Sequence, residues 1–320
     1  STQNDSLITA DTLTVKGGAI YAVTSTKALT LMAADPFINS QTSSTIRIAA
    51  GATFTPTSTV GFIVSSSTLE IWQTATVTNS SILNITVVNA STTLGYYTTT
   101  LPFTVNSLTV GNGGMVNHLD NSTAQTHVVN ISAGTITINA GGSINTDFLG
   151  WNGGVGGTSA TDRSGTGPGV KGVSSSAGGG GAHGGGGGAG SGTGAGTGGV
   201  SYCSVSSPAT IGSGGGGGAS TGGSGGAGGG LIILNVTGTL TVNGTITTDG
   251  SNAISVSQGG GGGSGGGVSI IAGIIAGTPQ SFTVTGGNGA GTSKGGGGGG
   301  GGCVYMQYTT SNSIAGTSIT

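Results

Sequence analysis

Few side chains in this 320-residue chain could do chemistry, and few of those are spaced to do it together. Gly-X-Ser-X-Gly, the spacing of a hydrolase nucleophile elbow, occurs around Ser224 and Ser264. An elbow needs an apolar strand before the serine and a helix after it. Neither serine has them, and matches of this kind arise by chance in glycine- and serine-rich sequence. The Gly-X-Gly-X-X-Gly matches are equally empty without a βαβ unit. His118, Asp120 and His127 could be drawn as a metal site, but read better as surface or turn residues. The third histidine, His183, sits between two glycine runs. Paired-carboxylate chemistry needs two acids within about 5–10 Å. The eight acids include Glu70, Asp120, Asp147 and Asp249 and do not cluster. These residues lead us to expect no enzyme, no cofactor and no metal.

Cys203 and Cys303 are the only cysteines, each close to a tyrosine and each after glycine-rich sequence. They read either as one disulfide closing a long loop in an extracellular protein or as two buried thiols; no ligand set accompanies them in sequence. Lys and Arg number six and Asp and Glu eight, so charged residues are 4 % of the chain against about 25 % in an ordinary domain. Six scattered cations cannot track a phosphate backbone, which excludes nucleic acid as a partner. No apolar run reaches the length of a membrane-spanning helix. The opening Ser1-Thr2-Gln3 reads as a mature terminus. With charge so scarce, solubility must come from hydroxyls or attached glycans, and both suit an extracellular or cell-surface location. Eight Asn-X-Ser/Thr sequons are candidate glycan acceptors: Asn4, Asn79, Asn84, Asn89, Asn121, Asn130, Asn235 and Asn243.

The elements that would carry these residues are strands. Short β-branched, alternating runs bounded by Gly, Asn or Ser recur throughout, and no window has helical periodicity. Residues 134–147 and 238–249 each read as strand, Asn/Gly turn, second strand, Asp, then glycine-rich sequence. The recurrent Asp147 and Asp249 are expected to accept backbone N–H bonds at a corner. Of 74 glycines, 65 fall after residue 140, in runs such as Gly178–Gly181, Gly184–Gly188, Gly214–Gly218, Gly259–Gly263 and Gly295–Gly302. Each major run returns to a strand, at Leu231–Leu234, Val268–Ile271 or Cys303–Met306. Such runs are either floppy or pack backbone on backbone as extended helices with three residues per turn.

The repeated coils and returning strands across about 106–308 resemble glycine-rich right-handed parallel β-helix surface and filament proteins of the adhesin-like kind. The glycine runs are similar in part to polyglycine-bundle proteins. The resemblance implies an all-β fold: a right-handed parallel β-helix over 106–320 with glycine-rich excursions. Residues 1–105 are expected to be a Thr/Ser-rich β region, either extra coils or a β-sandwich cap. The family implies a structural or adhesive role. The leading expectation is a subunit that assembles with itself into a filament, by end-to-end stacking or strand addition. The residues expected to mediate assembly are Ser1, Leu7, Leu13, Val15, Val304, Tyr305 and Tyr308. Two alternatives stand beside it. One is an adhesin that binds glycans on exposed aromatics such as Trp151, Tyr202 and Tyr308. The other is an ice-binding surface built from Thr-X-Thr pairs such as Thr135/Thr137 and Thr239/Thr241.

Overall fold

A computed structural model describes residues 102–157 and 165–314 throughout; of residues 1–101 it describes the strands, with side chains at only a few positions. Among the described residues there are strands and no helix. Every strand pair is parallel. Two large sheets dominate. One has seven strands: β8 (Gly61–Ser65), β11 (Asn84–Val88), β13 (Phe103–Val110), β15 (Val129–Ile138), β17 (Leu231–Val242), β19 (Gly267–Gly277) and β21 (Cys303–Ile314). The other has eight: β3 (Ile20–Val23), β6 (Ser44–Ile48), β9 (Ser67–Trp72), β12 (Thr92–Tyr97), β14 (Gly114–Asn117), β16 (Ser143–Asn145), β18 (Thr245–Thr247) and β20 (Ser281–Thr283). β1 (Leu7–Ala10), β4 (Ala28–Leu31), β7 (Thr53–Pro56) and β10 (Thr76–Val77) make a smaller sheet. β2 (Thr12–Lys16) and β5 (Phe37–Gln41) make another.

This corrects the expected right-handed parallel β-helix. The strands lie in open parallel sheets, none of which closes on itself. A strand–turn–strand repeat specifies that like strands stack in register; it does not specify that the coil closes. Parallel neighbours need a long crossover, which in α/β proteins is ordinarily a helix. Here the crossover between β15 and β17 runs through β16 and then 85 residues of glycine-rich chain, from Thr146 to Gly230. The arrangement is α/β-like in its open parallel sheets, with glycine chain where helices would stand. The strands of residues 1–105 pair in parallel, unlike the antiparallel strands of an ordinary β-sandwich. Both large sheets cross the expected boundary without a break: β11 pairs β13 and β12 pairs β14.

The core lies where the two large sheets meet. In β13 and β15, buried and outward positions alternate with period 2 on either side of one slip, at Asn106–Ser107 and at Gly134–Thr135. Register turns this alternation into stacked rows. Ile85, Leu108, Ile136, Leu240 and Ile275 align across five strands of one sheet. Val116, Ile144, Ile246 and Phe282 align across the other. All nine are buried in one cluster. Each contributes roughly 1.5–3 kcal/mol by leaving water.

The glycine runs are ordered. Gly223, Gly226 and Gly229 donate N–H bonds of 2.8–2.9 Å to the carbonyls of Gln258, Gly261 and Ser264. Gly259, Gly262 and Gly265 donate at 2.9 Å to Lys294, Gly297 and Gly300. An antiparallel neighbour obeys the same rule: Gly212, Gly215 and Gly218 donate to Gly229, Gly226 and Gly223. Bonds at every third residue define an extended helix with three residues per turn. Equivalent positions of successive turns bond one neighbour and other positions of the turn another, as Gly225 and Gly228 do to Gly154 and Trp151. None of the glycines in the five long runs has φ in the left-handed region. Glycine is therefore required for its missing side chain. A Cβ on Gly261 would meet the carbonyl of Gly179, and one on Gly297 the carbonyl of Gly188.

Candidate functional site: a sheet edge, a polyglycine layer and a tethering disulfide

β21 is the last strand of the seven-stranded sheet, paired on one side with β19. Its other side meets no further strand among the described residues. Cys303 is buried, and Val304, Met306 and Ile314 pack half-buried against the core. Residues from Gln307 to Ser313 are exposed. The twelve residues hold no charge and no proline. Charge, proline and a covering element are usual means of blunting a sheet edge. Among the described residues β21 has none of these, and its one irregularity is the register shift opposite Ala272–Ile274. Just before it, Gly295–Gly302 forms the outer glycine helix. Added Cβ atoms at Gly295, Gly298 and Gly301 would meet nothing within 4 Å, so every third residue of this run faces open space.

Of the residues expected to mediate assembly, Val304, Tyr305 and Tyr308 lie on this edge, with Tyr308 50 % exposed. Leu7 lies on β1, and Leu13 and Val15 on β2, the first strands of the two smaller sheets, apart from the sheet of β21. Ser1 lies outside the described residues. The expected contacts are thus divided between the last strand of the seven-stranded sheet and the first strands of the two smaller sheets.

Cys203 and Cys303 form a disulfide, and they tie the loop after the glycine bundle to the start of β21. Beside it lies a residue that sequence spacing did not connect to the cysteines. His183 is fully buried, and one of its ring nitrogens and the two sulfurs lie within 4.8 Å of one another. Its Nδ1 is 3.0 Å from the Gly266 carbonyl and its Nε2 is 2.9 Å from Thr210 Oγ1. Since a carbonyl only accepts, Nδ1 carries the proton and Nε2 accepts from the hydroxyl. Burial holds the ring's pKa down to about 4, so it is neutral at ordinary pH. The Tyr202 ring meets the imidazole edge-on at 5.0 Å.

The other histidine grouping dissolves. His118 is buried, with Nδ1 bonded to the Leu119 carbonyl and Nε2 accepting the Leu231 N–H. Burial lowers its pKa to about 4. It is a structural support for the start of β17, and among the described residues no metal-ligand group includes it.

The two aspartates act across layers. Asp147 accepts the N–H of Asp249 through Oδ1 and the Thr247 hydroxyl through Oδ2, at 2.7 and 3.0 Å. Asp249 accepts the N–H of Thr285 and the hydroxyl of Thr283 in the same way, at 2.6 and 2.8 Å. The corner role expected from recurrence is real. Its partners sit one layer up, a relation that sequence spacing could not display.

Three of the sequons, Asn4, Asn79 and Asn89, lie outside the described residues. Asn121 is buried, and both ends of its amide are engaged. Nδ2 donates to the carbonyls of His127 and Leu149, and Oδ1 accepts two N–H groups. It shapes the loop before β15 and presents no acceptor at the surface. Asn84 Oδ1 accepts from Asn106 and Ser107, and Asn243 Oδ1 accepts the Thr278 N–H. Asn130 and Asn235 are half-buried on β15 and β17. Of the aromatics considered for sugar stacking, Trp151 packs against the Val128–Ile211–Leu231 cluster. The Tyr202 hydroxyl is bonded to the Ile211 carbonyl, which leaves Tyr308 as the exposed one.

No protein family, curated protein or solved structure matches the chain. No helix among the described residues is long and apolar enough to cross a membrane.

Proposed function

We propose that the chain is a non-enzymatic structural subunit that adds to copies of itself end to end, outside the cell. The observation that carries this reading is β21: a twelve-residue edge strand, uncharged and exposed over most of its length, at the end of a parallel stack. The occupant that suits it is a second copy. β1, β2 and β3 stand at the other end of their sheets and run parallel to their neighbours. Since all pairing is parallel, β3 of one copy could continue the sheet that ends in β20 of another, and an N-terminal strand could add beside β21 in the same sense. Such a contact is heterologous and propagates into an open fibre. The half-buried Val304, Met306 and Ile314 would be covered in the process. The scarcity of charge and the abundance of hydroxyls support an extracellular setting.

The test is negative-stain microscopy with light scattering on the purified chain and on Thr309→Lys/Ser311→Lys. Fibres in the first and monomers in the second are expected. A wild-type chain that stays monomeric at high concentration would falsify the reading.

A second reading rests on the outer face of the seven-stranded sheet. Thr86, Thr109, Thr137 and Thr241 align on four adjacent strands and are all half-exposed. Strands lie about 4.8 Å apart, so these hydroxyls and methyls repeat as a flat row of the kind that suits ice. Thermal hysteresis in a freezing assay tests it, and its absence rules it out.

A further inference from the structure

The disulfide neighbourhood holds more than a covalent tie needs. Cys303 and His183 are buried, Cys203 is half-buried, and the ligand atoms of the three lie within 4.8 Å of one another. Their positions come from three separate parts of the fold. Cys303 opens β21, and its N–H donates to the Gly266 carbonyl. That same carbonyl accepts from His183 Nδ1. The His183 carbonyl in turn accepts the N–H groups of Tyr202 and Cys203. The backbone thus fixes all three side chains around one point, whatever the state of the sulfurs.

We propose that when the disulfide is reduced, Cys203, Cys303 and His183 form a three-ligand site for a thiophilic d10 cation of the zinc class. A dithiol or phosphine reductant supplies two electrons. The S–S bond breaks, the reductant is oxidised, and two thiols form. Binding of the cation releases the two thiol protons, and the neutral imidazole adds a lone pair without losing one. Zinc sits about 2.3 Å from thiolate sulfur and about 2.0–2.1 Å from imidazole nitrogen. A tetrahedron of those bonds has edges under about 4 Å, so the nitrogen need approach by no more than about an ångström, while the two sulfurs, released by reduction, part from bonding distance to reach it. The ring has a hydrogen-bond partner on each side, the Gly266 carbonyl and the Thr210 hydroxyl. One yields to the cation while the other keeps the imidazole oriented, as ligating histidines require. A water completes the fourth position on the side of the half-buried Cys203. The loop carrying Cys203 would then be tied to β21 by a metal clip where thiols are kept reduced, and by the disulfide where they are oxidised.

Cadmium is the probe. The full chain is reduced with a phosphine, freed of reductant under argon, and titrated with Cd2+ while thiolate-to-cadmium absorption and near-ultraviolet circular dichroism are followed. The expected result is saturation at one Cd2+ per chain and displacement by Zn2+, with no signal from the oxidised protein or from Cys203→Ser. His183→Gln is expected to weaken binding at least tenfold. Should reduction loosen the fold, recovery of the dichroism at one equivalent of Cd2+ counts for the site. Absence of a stoichiometric signal overturns the proposal, and so does an affinity unchanged in His183→Gln.

Discussion

Replacing Gly295, Gly298 and Gly301 by alanine leaves five of the eight glycines in the run Gly295–Gly302 and should do no harm. Replacing Gly296, Gly299 and Gly302 in the same run should be severe. The chemistry of the two sets is identical; only their phase in the three-residue turn differs. Cβ atoms at the first set meet nothing within 4 Å. Those at the second would strike the backbones of Gly260, Gly263 and Gly266, and a Cβ at Gly297 or Gly300 would strike Gly188 or Gly185. Backbone tied by its own hydrogen bonds on several sides cannot step aside as a side-chain tip would. Overpacking of this kind costs about 1–3 kcal/mol per site. Three inward alanines therefore cost on the order of 6 kcal/mol. Three outward alanines gain about 1–3 kcal/mol, because they restrict the unfolded chain at positions without left-handed φ. An unfolding entropy near 2.1 cal/mol/K per residue makes 1 kcal/mol worth roughly 1.5 °C in a chain of this length. Calorimetry should then find the inward variant about 9 °C lower in Tm and the outward variant about 2–4 °C higher. Equal Tm values for the two variants would mean that the run is not held in three-residue register, and the account of the glycine bundle would be wrong.

Replacing both cysteines by serine should lower stability by up to about 4.7 kcal/mol, the chain-entropy value for a loop near 100 residues, read from denaturant midpoints; an unchanged midpoint would show that the tie constrains nothing. Asp147→Ala leaves the Asp249 N–H and the Thr247 hydroxyl without their acceptor, and should cost about 2–3 kcal/mol in the same assay. Stability should also fall in acid. His118 and His183 have folded pKa values near 4, below the ordinary 6.5, so between those limits the unfolded chain binds more protons. Their contribution is whole above pH 6.5 and is lost as pH falls toward 4, on the order of 2–3 kcal/mol for each ring. Burial holds Asp147 above the usual carboxylate range, which acts in the opposite sense at lower pH. A double His118→Gln/His183→Gln variant whose stability between pH 6.5 and 4 falls as steeply as that of the wild type would contradict this.

Strands were legible in the sequence because their signal is local. β-branched alternation bounded by glycine marks β13, β15, β17 and β19 without reference to anything distant. The pairing of residues 134–147 with 238–249 was legible too, since like motifs stack on like; Thr137 does align with Thr241. Closure of the coils was not legible, because it depends on how far the chain travels between strands, and the glycine runs have no side chains to report their path. The ordering of those runs leaves no period in the sequence either. Where every position is glycine, the inward and outward thirds look the same. The grouping of His183 with Cys203 and Cys303 was hidden for another reason. A Cys-X-X-Cys or His-X-X-X-His spacing advertises a site when one turn of chain supplies both ligands. Here three separate segments meet, held together by the Gly266 and His183 carbonyls rather than by any spacing in the sequence.

The constant step in the glycine layers also bears on how such a chain can change length. Each N–H in the matched series bonds a carbonyl 35 positions ahead, as Gly226 does to Gly261 and Gly262 to Gly297. Gain or loss of three residues within a run advances the helix one full turn and returns every later glycine to its old facing. Gain or loss of one turns each of them by a third, swinging the bare face inward and a crowded one out. Descendants of this gene should therefore differ in these segments by multiples of three residues, which is a frame imposed on inheritance by the backbone alone.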